Sequence, residues 1–169
     1  LFIKMKILIV GYGRMGSSHY RSFLLSNKKY EITIVDKKFT KLSKENHKKK
    51  IITFSKKIPQ KKNFDLVIVA TNSLERLKVI REIFNLNKVK YLILEKFLFN
   101  FSNDYSSLKR ILKNKSTKTM INVWGKVILE PISKKINRNS VNKIEIECKE
   151  EILTNLIHYF DFINSVIKK

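Results

Sequence analysis

Apolar and polar positions along this chain fall into two alternating kinds of block. Lys6–Val10 reads Lys-Ile-Leu-Ile-Val, the unbroken apolar run required of a strand covered on both faces. Glu31–Val35, Ile51–Phe54, Leu66–Ala70 and Tyr91–Leu94 repeat it, and Thr119–Val123 predicts a sixth strand. Between these runs, Met15–Ser26, Leu74–Phe84 and Tyr105–Lys113 predict helices. In the second, Leu77, Ile80 and Phe84 share one side at helical spacing. Phe39–His47 follows neither period and predicts a weak polar helix or a loop. Further on, Lys143–Cys148 alternates lysine or glutamate with isoleucine and predicts a half-exposed strand. Asn155–Ile167 predicts a final helix. Alternating strands and helices over residues 1–118 predict an α/β fold built on a parallel sheet. Residues 119–169 predict an incomplete α+β segment, with a boundary near 118–124.

The chain has only 4 glycines, and three of them stand in Gly11-Tyr12-Gly13-Arg14-Met15-Gly16, between the first strand and the first helix. That order has a chemical use. Gly11 permits a tight turn, Gly13 lets backbone approach a diphosphate, and Gly16 lets helix and strand pack closely. Unpaired amides at the helix start, with the positive end of its dipole, then bind the phosphates. Asp36 closes the second strand about 20 residues on, where a carboxylate can accept from the adenosine ribose hydroxyls. The combination predicts a Rossmann-type doubly wound sheet holding a nicotinamide dinucleotide. Asp36 favours NAD(H), since it repels a 2′-phosphate. Lys37 and Lys38 keep NADP(H) as the alternative.

Charge changes this picture little. The 36 Lys+Arg against 14 Asp+Glu give a formal net charge of +22, which by itself suggests nucleic acid or an anionic membrane as partner. The lysines are scattered along the whole length, however, and accompany abundant Asn, Ile and Phe, the mark of an AT-rich coding sequence. The densest runs, Lys48-Lys49-Lys50 and Lys56-Lys57, fall near loops. A basic nucleic-acid module is therefore the weakest of the readings. The single cysteine, Cys148, excludes an internal disulfide and a Cys-based zinc site and fits a reducing compartment, the cytoplasm. No apolar run approaches the ~18–20 residues of a membrane span. Leu1 rather than Met opens the chain, so Met5 is a candidate start, or the sequence is a fragment.

Gly11-Tyr-Gly13-Arg-Met-Gly16-Ser-Ser-His19, then Ala70-Thr71-Asn72 and Glu95-Lys96-Phe97-Leu98 after later strands, resemble the Gfo/Idh/MocA oxidoreductases. The resemblance implies a Rossmann domain, residues 1–118, followed by the start of an open-faced α/β domain, 119–169, that binds a sugar or cyclitol and builds a homo-oligomer in the full-length form. It covers essentially the whole chain, which corresponds to about the first half of a typical member. It implies cofactor contacts at Ala70, Thr71, Asn72 and Glu95, and at Lys96 a cation near the nicotinamide and the reacting carbon. Such a cation polarises a carbonyl or stabilises an alkoxide as hydride moves. Phe97 stands where the family usually has proline.

In Asn155-Leu-Ile-His158-Tyr-Phe-Asp161, His158 resembles the family histidine that acts as general acid or base toward the substrate hydroxyl. Thr154 replaces a common aspartate, and the segment resembles a subgroup associated with bacterial surface-sugar biosynthesis. His19 matches a position near the cofactor phosphates, with a plain surface role as its rival. Trp124, Gly125 and Lys126 stand where a family arginine is absent. The leading expectation is thus hydride transfer between a sugar derivative and a nicotinamide cofactor. A rival is a nucleotide-binding remnant without turnover, because a half-domain of ~50 residues is marginal by itself.

Overall fold

Strand β1, Met5–Val10, lies in the middle of the computed structural model and shows why the chain folds as it does. Side chains alternate across a strand. Leu8 and Val10 enter one core with Val67, Val69 and Leu92, covered by the helical residues Leu77, Ile80, Phe84 and Leu108. Ile7 and Ile9 enter a second core with Ile32, Ile34 and Ile52, covered by the helical residues Tyr20, Phe23 and Leu24. Both faces of the sheet are therefore packed, which is what the unbroken apolar runs require. The structure describes residues 4–123, 131–132, 134–137, 140–147 and 152–167.

The elements run β1 (Met5–Val10), α1 (Arg14–Leu25), β2 (Tyr30–Val35), β3 (Ser43–His47), β4 (Lys50–Ser55), β5 (Asn63–Val69), α2 (Ser73–Leu86), β6 (Lys88–Glu95), α3 (Ser102–Leu112) and β7 (Lys118–Asn122), with α4 (Ile152–Ile167) near the end. The sheet order is β3-β4-β2-β1-β5-β6-β7. β4, β2, β1, β5 and β6 are parallel neighbours. The chain winds outward from β1 through β2 to β4, then returns to the other side of β1 through β5. That reversal creates a crevice beyond the carboxyl ends of β1 and β5.

Two expectations are corrected. Phe39–His47 is neither a helix nor a plain loop, because its second half forms β3, antiparallel to β4 through a turn at Lys48-Lys49. Every residue of β3 is exposed, so ladder hydrogen bonds hold it and no apolar period could mark it. Its charges suit an edge strand, where they discourage pairing with another chain. The Ile/charge alternation over 143–147 makes no strand. Alternation alone does not make a strand, which needs a partner ladder; among the described residues none is recorded for this segment, and Ile146 is exposed.

The chain divides into two compact units, Leu1–Ile121 and Asn122–Lys169. In the second, α4 buries His158 and Val166. Trp124, Gly125, Lys126 and Cys148 lie outside the described residues. Among the described residues no helix is long and apolar enough to cross a membrane, and no group of three potential ligands gathers for a metal.

Candidate cofactor site

Strand register gathers the sequence motifs into one row. Val10 pairs with both Val35 and Val69, and Val69 pairs with Leu94. The residues that follow, Asp36, Gly11, Ala70 and Glu95, therefore stand in line across the carboxyl edge of four adjacent strands. Neighbouring strands lie about 4.8 Å apart, so the row is roughly 15 Å long. It borders a cleft of about 460 Å³ whose walls include Gly13, Asp36, Lys38, Lys57, Thr71 and Asn72.

The three glycines do separate jobs. Gly11 turns with φ +94°, and a Cβ there would lie 2.8 Å from the Ala70 carbonyl carbon and oxygen. Its N–H donates to Val35 O at 2.8 Å while Ala70 N–H donates to Val10 O at 2.8 Å, which seals the turn to both neighbouring strands. At Gly16 a Cβ would stand 1.9 Å from Gly11 O, so helix and turn touch there. Gly13 differs: a Cβ would meet nothing within 4 Å. It is the N-cap of α1, and no side chain caps that helix. First-turn amides without an intrahelical partner gather beside this open space, at the positive end of a helix. Arg14 and Met15 open the helix and are exposed.

Asp36 is held in place by backbone. Tyr12 N–H donates to its Oδ2 at 2.6 Å and Lys38 N–H to its Oδ1 at 2.9 Å. Each carboxylate oxygen keeps a further lone pair, so the group is oriented and can still accept from hydroxyls. The Tyr12 ring packs on Tyr20, Phe39 and Phe54, which anchors the glycine turn. Lys37 pairs with Glu75 of α2. Asn72 N-caps α2, its Oδ1 accepting from Glu75 N–H at 2.9 Å. Thr71 Oγ1 is buried with no hydrogen-bond partner among the described residues. That orphan hydroxyl and the open space at Gly13 fit a polar ligand lying along the row, and the uncapped start of α1 fits its phosphates.

The Glu95 end of the row has another character. Glu95 is 3% exposed, and His19 Nε2 of α1 lies 2.6 Å from its Oε1, so the histidine braces the first helix against β6. Lys96 is half-buried. Burial lowers its pKa, Glu95 acts in the opposite direction, and Arg14 adds to the lowering. Sequence reasoning missed the buried residue that ties this end together, Arg76 of α2. Its charge at a core-facing helical position was the available signal, since a buried cation demands partners. His158 lies on α4 in the second unit and is fully buried.

These features agree with the comparisons. Residues 5–123 match the Gfo/Idh/MocA oxidoreductase family, NAD-binding Rossmann fold, and the chain belongs to that family. Among curated proteins none matches it in sequence. Solved structures share the fold. A probable dehydrogenase from Thermotoga maritima aligns at 14% identity and TM-score 0.66, over 96% of this chain and 55% of that one. A super-repressor form of Gal80p from Saccharomyces cerevisiae aligns at 13% identity and TM-score 0.67, over 98% and 53%. A Sinorhizobium meliloti 1021 protein provisionally named a myo-inositol dehydrogenase aligns at 11% identity and TM-score 0.61, over 98% and 56%. The chain thus spans about half the length of these structures.

Proposed function

We propose that this chain forms the cofactor-binding part of an NAD(P)-dependent oxidoreductase that acts on a sugar, cyclitol or related polyol. The carrying observation is the row Asp36–Gly11–Ala70–Glu95, set by strand register, with Gly13 opening the helix start beside it. In this reading the amides at the start of α1 bind the diphosphate, and Asp36 accepts from the adenosine ribose. Thr71 and the Glu95-Lys96 turn border the nicotinamide half. The nicotinamide, when bound, supplies hydride transfer.

The protein side of the chemistry falls to two residues. Lys96 presents a partly desolvated cation at the end of β6, suited to stabilising negative charge on a substrate oxygen. His158 moves the hydroxyl proton. The oriented carboxylate of Asp36 supports NAD(H) over NADP(H), as does the engagement of Lys37 by Glu75. The myo-inositol dehydrogenase name of one structural neighbour accords with a polyol substrate. Calorimetric titration with NADH and NADPH is the primary test. Saturable binding with NADH the tighter is expected, and absence of heat from both on folded protein overturns the proposal.

A further inference from the structure

Arg76 is 2% exposed, yet it lies one turn from the start of α2, beside the cleft. Its Nη1 donates to the carbonyl of Glu95 at 2.6 Å, to that of Leu98 at 2.9 Å, and to that of Phe97. Its Nη2 donates to the Thr71 carbonyl at 2.5 Å. One guanidinium thus gathers the carbonyl of the last residue of β6, two carbonyls of the turn that follows it and one after β5. Burial lowers its pKa, while Glu95 and Tyr105 act in the opposite direction; an arginine stays charged under such a shift.

The location of these bonds matters more than their number. Leu98 and Phe99 bury their side chains, so packing anchors the exit of the turn. Before Lys96, the buried Glu95 is held by His19; after it, Phe97 is 50% exposed, so little side-chain packing fixes the backbone between Lys96 and Leu98. The Arg76 fork supplies that constraint through carbonyls on both sides of Lys96. It also ties the turn to Thr71, whose hydroxyl is the orphan in the cleft wall. All four carbonyls belong to the half of the row opposite Asp36. A lysine cannot reproduce the fork, since its ammonium is a point charge without planar, separated donors.

We propose that Arg76 is a positioning residue for the nicotinamide half of the site: it sets the 95–98 turn against Thr71 and thereby places Lys96. This rests on the cofactor reading above. The test compares two ligands on the full chain. ADP-ribose carries the adenosine, diphosphate and second ribose but no nicotinamide, whereas NADH carries all of them. For Arg76→Lys, calorimetry is expected to show ADP-ribose affinity within about twofold of wild type and NADH affinity reduced by about tenfold, the size of one lost hydrogen-bonded contact. The fluorescence of bound NADH should shift toward that of the free dinucleotide. Equal losses for both ligands, or none for either, overturn the proposal.

Should Arg76→Lys not fold, Arg76→Ala prepared with methylguanidinium gives the same comparison. Withdrawing the small cation should release NADH and spare ADP-ribose. Simultaneous loss of both makes Arg76 a structural group and overturns the positioning role. If the wild type binds neither ligand, the cofactor reading itself has failed, and that outcome is distinct from the others.

Discussion

The two ends of the strand-end row solve the same problem, holding a polar group at the edge of a sheet, by different means. At Asp36 the carboxylate is fixed by amides of Tyr12 and Lys38, with exposed lysines around it. At Glu95 the carboxylate and the Arg76 guanidinium are buried, and partners arrive from α1, α2 and the turns after two strands. Water screens the first end and scarcely reaches the second. A charge removed at the Glu95 end leaves partners unsatisfied in a medium that cannot replace them. Substitutions of similar chemistry should therefore cost more there than at Asp36, and the glycine turn between the ends should tolerate least.

The largest effect is expected at that turn. Gly16→Ala sets a methyl 1.9 Å from Gly11 O, against backbone that cannot swing aside. It should lower unfolding free energy by about 3 kcal/mol in urea denaturation, the upper range for overpacking, and abolish NADH binding. Retention of both would mean that helix and turn can separate freely. Next comes Lys96→Ala, which should reduce kcat by about 10²-fold or more, as for other lost transition-state charges. NADH affinity should stay within about twofold. Unchanged turnover removes Lys96 from the chemistry.

The direction of the Lys96 shift gives a pH test of the same contrast. Burial lowers its pKa, so the folded state loses this proton at a pH below the ordinary lysine value of about 10.4. Turnover that needs the cation should fall on the alkaline side before that pH. Between the folded and ordinary values the unfolded chain binds more protons, so this residue makes stability rise with pH across that window. Lys96→Met should flatten that rise in denaturation series, and an unaltered slope would show that Lys96 is not its source.

Smaller effects are expected toward the exposed end. Asp36→Ala should weaken NADH by about tenfold and NADPH less; the reverse ranking in titration rejects the NAD preference. Lys37→Ala should be the mildest, changing stability by less than about 0.5 kcal/mol, because an exposed ion pair contributes little. A larger change in its denaturation midpoint would break the contrast between screened and buried ends.

Legibility in the sequence follows the same division. The signals for β1, α1, β2, β4, β5, α2, β6 and α3, which build both cores, were plain, because burial on two faces imposes continuous apolar runs and one-sided helices. Gly11, Gly13, Gly16 and Asp36 were plain because a turn is encoded within a few consecutive residues. β3 was not legible, since an exposed edge strand is held by pairing with β4 and carries no apolar signature. Residues 143–147 show the converse: the alternation is present there, yet these described residues are assigned to no strand. The motif left His19 between a place near the cofactor phosphates and a plain surface role, and its pairing with Glu95, 76 positions away, was not legible.

By itself, the sequence determined the doubly wound sheet, the glycine turn and the acidic residue that closes β2, because these depend on local backbone geometry and on the burial of apolar runs. Tertiary structure decided which strand ends stand in line, and that Arg76 is a clasp on four carbonyls instead of one more surface cation. A guanidinium's role is set by the acceptors that folding brings to within about 3 Å. The carbonyls that Arg76 holds belong to residues 71, 95, 97 and 98, whose convergence exists only once β5, β6 and α2 have packed.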